Sequence, residues 1–294
     1  MSAFDTIKQR FKQKDILIQL IIINTVVFFL FVIAGMIGKL FKLPATDLIP
    51  YIGTTSDIHL LIKRPWTVFT YMFAHKDFWH ILMNMLMLFW FGQLFLRYFS
   101  PKNLGSMYLL GGLAGAALYA LTFNTIPYYI DMSHPPMIGA SASVMAIIFA
   151  AAFYKPDAEV SLFMLFRVKV VYIAAFMFIL DFISLDSNTN PGGHVAHIGG
   201  AIIGYIFARQ YLKGKDITGW INKIIDWFVN LAKPSNKKKK IKVKYKKREA
   251  DYNYNQRKHN DTEEIDRILD KIKSSGYSSL NAEEKKRLFD ASKK

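Results

Sequence analysis

Between Ile16 and Leu212 the chain falls into long apolar runs with few charges, and from Lys213 onward it turns strongly polar. A helix needs about 20 apolar residues to cross a hydrocarbon layer of roughly 30 Å, and a soluble core helix seldom needs so many. Several such runs in series predict a multispanning, all-α membrane protein. Helices are expected at about 16–38, 78–97, 104–126, 138–154, 169–186 and 194–212. Six spans put both chain ends on the same side.

Short flanking loops choose that side, because Lys and Arg favour the cytoplasmic face. Lys8, Arg10, Lys12 and Lys14 lead into the first span, Arg97 and Lys102 join spans two and three, and Lys155, Arg167 and Lys169 join spans four and five. The opposite loops, IPYYIDMSHPPM and LDSNTNPGG, carry neither. The segment from Lys39 to Thr70 dissents with Lys39, Lys42, Lys63 and Arg64. The majority places both termini in the cytoplasm, and a bacterial inner membrane is the expected setting. The first run is too long for a signal-peptide core and is read as a retained span.

The formal net charge of +16 sits mostly in the tail, beginning with Lys237 to Lys240. Beside a membrane such a run favours anionic lipid headgroups, and a nucleic-acid partner is not expected. No cysteine is present, which excludes disulfides and thiol catalysis. The chain therefore divides into a cytoplasmic segment 1–15, a six-helix domain 16–212, an interfacial amphipathic helix 213–233, a basic linker 234–260 and a small helical hairpin 261–294. The interfacial helix rests on Ile217, Trp220, Ile221, Ile224, Ile225, Phe228 and Leu231 at helical spacing. In the hairpin, Asn281 with Glu284 fits a capping box and Gly276 a helix stop.

Polar residues inside spans must find partners or line a wet cavity. Ser141 lies in GASAS, Gly139 to Ser143, just after Pro135 and Pro136, where a helix N-terminus turns unpaired N–H groups toward developing negative charge. His197 lies near the start of span six in AHIGGAIIG, where Gly200 and Gly204 form a GxxxG face that lets helices approach closely. Small residues on both helices would bring the Ser141 hydroxyl to the His197 imidazole, the base a serine needs. In span two, His80 and Asn84 are four apart, share a face, and could donate to one oxyanion. With both termini inside, His75, His80, Ser141 and His197 fall at one depth. A stripe of Phe176, Phe178 and Phe182 on span five suggests a movable gate, although aromatic packing is the commoner reason for such a stripe.

HKDFWHILMN, GASA and AHIGGAIIG, in this order on spans two, four and six and with WTVFTYMFAH leading in, resemble the rhomboid intramembrane proteases over about residues 60–212. The resemblance implies a six-helix rhomboid-like bundle in which Ser141 is the nucleophile, His197 the base, and His80 and Asn84 the oxyanion donors with the Ser141 N–H. Gly139, Gly200, Gly204 and His75 would support them. It implies a two-residue mechanism with no acidic third member, membrane-protein substrates with a transmembrane helix, and no cofactor or metal. Four departures stand in the motifs: Ala142 follows the nucleophile in place of glycine, Met145 replaces an aromatic that often supports the histidine, Thr67 replaces arginine after Trp66, and His194 is an extra histidine. Asp181 is the nearby carboxylate inside a span, and no direct catalytic part is expected of it.

Rival readings are a catalytically inactive relative that binds or escorts membrane clients, a metal site built from His75, His80, His194 and His197, and a transporter or channel. Helical spacing argues against the metal site, since His75 and His80 point in different directions. No repeated half or acid-rich pathway supports a transporter.

Overall fold

The computed structural model describes residues 15–42, 48–132, 135–162, 166–187, 189–232 and 263–291, without the side chains of 162, 166 and 228–232. The chain divides into two units, Met1–Lys233 and Pro234–Lys294. The expected basic lead-in from Lys8 to Lys14, the linker 234–260 and the side chains of Phe228 and Leu231 lie outside what is described.

The larger unit is built on α1 (Ile16–Leu40), α2 (Phe78–Phe95), α3 (Pro101–Thr125), α4 (Ser141–Tyr154), α5 (Val170–Ile183), α6 (Pro191–Tyr211) and α7 (Gly219–Ala232). Local chemistry sets the starts. Asp15 Oδ1 accepts from the Leu17 N–H at 3.1 Å to begin α1, Asp77 Oδ1 accepts from the His80 N–H at 2.9 Å to begin α2, and proline stands in the first turn of α3 and of α6. Among the described residues, α1, α2 and α3 are long and apolar enough to cross a membrane. α4 is apolar but has 14 residues, about 21 Å at ~1.5 Å per residue, short of the layer.

That short helix is the centre of the bundle. Every residue from Ala142 to Ala152 is buried, with α6, α3, α2 and α5 packed around it and α1 against α2 and α3. Asn24 and Tyr108 tie α1 to α3: the Asn24 amide donates to the Tyr108 hydroxyl at 3.0 Å, and that hydroxyl donates to the Met72 carbonyl at 2.8 Å. α5 is attached lightly, its buried residues being Val170, Ala174 and Asp181. Of its aromatic stripe, Phe176 and Phe182 face outward, whereas Phe178 packs against Phe149 with ring centroids 6.0 Å apart.

Two features depart from an all-helical chain with plain loops. Between α4 and α5 an antiparallel hairpin forms from β1 (Glu159–Leu162) and β2 (Phe166–Lys169), where Val160 and Val168 pair and β-branched residues favour extended backbone. The segment before α2 is also structured, into short helices at Ile49–Ile52, Ile58–Lys63 and Thr67–Thr70. Arg64, which dissented from the charge count, is used here in packing: its guanidinium donates to the Pro50 carbonyl at 2.6 Å and lies 4.4 Å over the Tyr51 ring.

α7 holds to the start of α3 by polar contacts. Lys102 pairs with Asp226 at 2.9 Å, and the Ser106 hydroxyl donates to Asn222 Oδ1 at 2.7 Å. Ile221 is buried, while Trp220, Ile224 and Trp227 are exposed. In the smaller unit, α8 (263–275) ends at Gly276, whose φ is 80° and whose N–H donates to the Ile272 carbonyl at 2.9 Å. α9 (Ala282–Ala291) opens with the expected capping box. The Asn281 N–H donates to Glu284 Oε2, and the Glu284 N–H donates to Asn281 Oδ1, both at 2.8 Å.

Candidate active site

Ser141 is the first residue of α4, so its side chain stands at the end where first-turn N–H groups lack intrahelical partners. The expectation of a helix from 138 is corrected by the backbone: Gly139 has φ +124°, a conformation that prevents an earlier start. The approach strand is pinned on both sides. Thr54 and Met137 exchange backbone bonds at 3.0 and 2.7 Å, and the Gly139 N–H donates to the Tyr71 carbonyl at 2.9 Å. Ser141 thereby follows a segment whose backbone is hydrogen-bonded to two neighbouring segments.

α6 starts at Pro191, three residues before the expected start, after Asn190 in the left-handed region at φ 57°. His194 and His197 fall in its first two turns on one face. His197 Nε2 lies 2.6 Å from Ser141 Oγ. The two side chains that the motifs nominate meet at hydrogen-bond distance, although 56 positions separate them.

His80 and Asn84 face the same cavity. It measures about 230 Å³ and is lined by Tyr71, His80, Asn84, Met137, Ile138, Gly139, Ser141, Ala142, Asn190, Gly193, Ala196 and His197. The His80 ring occupies the space where a side chain on Gly139 would stand: a Cβ there would lie 2.7 Å from His80 Nε2. The Asn84 amide donates to its own helix at the His80 carbonyl, 2.9 Å away, and its second N–H remains for another acceptor.

His75 sits behind the cavity, in the loop before α2. It is buried, and its Nε2 accepts from the Ala140 N–H at 3.4 Å. Its ring meets that of His80 edge to face at 4.9 Å. Burial, then the neighbouring His80, push its pKa down to about 4. His75 therefore stays neutral and braces the residue before Ser141.

One member of this cluster was given no part by the motifs. Asp181 Oδ1 lies 2.8 Å from His197 Nδ1 and 2.8 Å from His194 Nδ1. The two-residue arrangement implied by the resemblance thus has a carboxylate behind its base. The signal was present as two histidines three apart on one helix and an acid inside the preceding helix. Among the described residues, the His, Asp or Glu cluster close enough to hold a cation is Asp181, His194 and His197, not the four histidines that sequence offered.

Residues 63–214 match the rhomboid domain family, and residues 248–294 match a family of unknown function, DUF6576. The chain is 33% identical over 162 residues to RHOMBOID-like protein 12, mitochondrial, of Arabidopsis thaliana, covering 52% of this chain and 48% of that protein. It is 27% identical over 137 residues to Rhomboid protein 1, mitochondrial, of Saccharomyces cerevisiae, covering 46% and 38%. It is 28% identical over 171 residues to RHOMBOID-like protein 4 of Arabidopsis thaliana, covering 57% and 39%. The chain spans less than half the length of each of these relatives. Two of them are named mitochondrial, so they lend the expectation of a bacterial inner membrane no support. The family match takes in a little over half of the chain, from the segment before α2 to the end of α6, and includes every residue lining the cavity. This chain is a multi-pass membrane protein and belongs to the rhomboid family.

Proposed function

We propose that the chain is an intramembrane serine endopeptidase that cleaves transmembrane segments of other membrane proteins near the outer face. The observation that carries this reading is the 2.6 Å separation of Ser141 Oγ from His197 Nε2 at the floor of a cavity with polar walls. In this reading the six helices α1 to α6 lie in the membrane, α4 and α5 at about 21 Å each reaching only part of the way through it, and both chain ends lie on the cytoplasmic side. α2, α4 and α6 then begin on the outer side and bring His80, Ser141 and His197 to one depth. The shortness of α4 leaves a hollow above Ser141 that water can enter.

The reaction begins when part of a substrate helix unwinds and presents a peptide carbonyl to Ser141. Ser141 Oγ bonds to the carbonyl carbon while its proton passes to His197 Nε2. The carbonyl oxygen, now negative, is met by the Ser141 backbone N–H, His80 and Asn84. The C–N bond then breaks, His197 hands its proton to the departing amine, and an acyl ester remains on Ser141. Water releases the acid by the same steps in reverse order, with His197 taking its proton and returning one to Ser141. At the inner face, the exposed Trp220, Ile224 and Trp227 of α7 and the lysines from Lys237 to Lys240 would rest on anionic lipid.

The test is cleavage of a transmembrane substrate by the full chain in proteoliposomes. Ser141→Ala and His197→Ala are each expected to abolish cleavage while the thermal transition is unchanged. Cleavage that persists in Ser141→Ala would refute the assignment. A wild-type chain that holds the substrate without cutting it would favour the inactive, client-binding reading.

A further inference from the structure

Asp181 is an acid on a helix whose Phe176, Ile179, Leu180, Phe182 and Ile183 are exposed, yet its own side chain is only 10% exposed. A carboxylate in that setting is costly unless it is bonded. One of its oxygens, Oδ1, meets two imidazoles, His194 Nδ1 and His197 Nδ1, each at 2.8 Å. An ionised carboxylate only accepts, so each ring carries its hydrogen on Nδ1. For His197 this leaves Nε2 bare, and the Ser141 hydroxyl donates to it at 2.6 Å. In the other tautomer Nε2 would carry a hydrogen and would have no lone pair for the serine proton.

We propose that Asp181 is a positioning residue: it holds His197 in the tautomer and orientation that let Nε2 accept the Ser141 proton, and His194 holds Asp181 in turn. The proposal rests on the serine-protease reading given above. It adds a carboxylate to the two-residue mechanism that the resemblance implies. It also gives the extra histidine a task, since a carboxylate bonded to His197 alone would be free to rotate on the lightly attached α5. As the reaction proceeds, His197 becomes positively charged, and the carboxylate 2.8 Å from its other nitrogen stabilises that charge. No proton passes to Asp181.

A pure clasp between α5 and α6 is the competing account, and kinetics separate the two. The full chain in proteoliposomes is assayed with a transmembrane substrate as wild type, Asp181→Asn, Asp181→Glu and His194→Leu, with thermal transitions recorded for each. Exchanging the carboxylate for an amide in a serine triad costs about 10⁴ in turnover. Asp181→Asn is expected to lower kcat by roughly 100-fold or more, with KM within about twofold. Asp181→Glu should recover at least about tenfold of that loss, and His194→Leu should lower kcat by about 10-fold through the same chain of contacts. If Asp181→Asn does not fold, the kcat losses of Asp181→Glu and His194→Leu against unchanged KM decide the matter. The inference is overturned if a folded Asp181→Asn keeps kcat within threefold of wild type, if the loss lies in KM, or if His194→Leu and Asp181→Glu both match wild type. It is also overturned if chelation with EDTA removes wild-type activity and added zinc restores it, because the same three atoms lie within 4.8 Å of one another and would then be ligands. A wild-type chain that neither cuts nor reacts with a serine probe refutes the protease reading itself, whereas a wild-type chain that cuts and an equally active Asp181→Asn refute only the role of Asp181.

Discussion

Gly200 packs so closely on Ala142 that a Cβ built on it would stand 2.1 Å from the Ala142 carbonyl oxygen. One turn further along, a Cβ on Gly204 would lie 2.3 Å from the Ala146 carbonyl. These two contacts let the α6 and α4 backbones touch directly. Three residues before the first, His197 reaches Ser141; the meeting of the two side chains is a consequence of missing ones.

Gly200→Ala must therefore part the helices, since the obstructing atom is backbone and cannot rotate away. Overpacking of this kind costs about 1–3 kcal/mol, and a shift of about 1 Å at the reacting groups lowers turnover by about 100-fold. Thermal unfolding and cleavage rate in proteoliposomes check the two effects separately. An active, unshifted Gly200→Ala would mean that α4 and α6 do not approach as described.

His80→Ala and Asn84→Ala each remove a donor from the cavity wall while leaving Ser141 and His197 in contact. Each is expected to lower kcat by about 100- to 1,000-fold with little change in KM. Steady-state kinetics on a transmembrane substrate measure it. Equal losses in KM would instead place these residues in substrate holding.

His75 sets a pH dependence of stability. Its folded pKa, about 4, lies below its ordinary value of 6.5, so between those limits the unfolded chain binds more protons than the folded one. Stability is thus fully present above pH 6.5 and falls as the pH drops toward 4, by no more than about 1.4 kcal/mol per pH unit for this group. His75→Gln should flatten that part of the curve. Thermal transitions of the two proteins between pH 4 and 7 report the difference, and parallel curves would contradict it.

In the smaller unit, Asn281→Ala removes the oxygen that accepts from the Glu284 N–H. A lost cap of this type costs about 1 kcal/mol. Faster amide hydrogen exchange confined to α9 in the full chain is expected.

Much of this was readable because it depends on short-range chemistry. Asn281 and Glu284, Gly276, and the histidine and asparagine of α2 are recognised by spacing of three or four residues, and the apolar runs betray the helices that carry them. The pairing of Ser141 with His197 was readable for a different reason: small residues on both helices remove the obstacles to contact. Asp181 was passed over because an acid in an apolar helix has no readable partner until the packing of α5 on α6 is known. The hairpin from Glu159 to Lys169 hid inside a mixed segment too short for a strand pattern to stand out. The short helices before α2 are set by long-range contacts, such as the Thr70 hydroxyl donating to the Ile52 carbonyl at 2.7 Å, which no local period records.

Reaction of the full chain with a fluorophosphonate, followed by mapping of the modified peptide, tests the central claim most directly. The account predicts one adduct, on Ser141, formed at a rate that drops steeply in His197→Ala. An adduct on another serine, or labelling of Ser141 that is indifferent to the loss of His197, would contradict it.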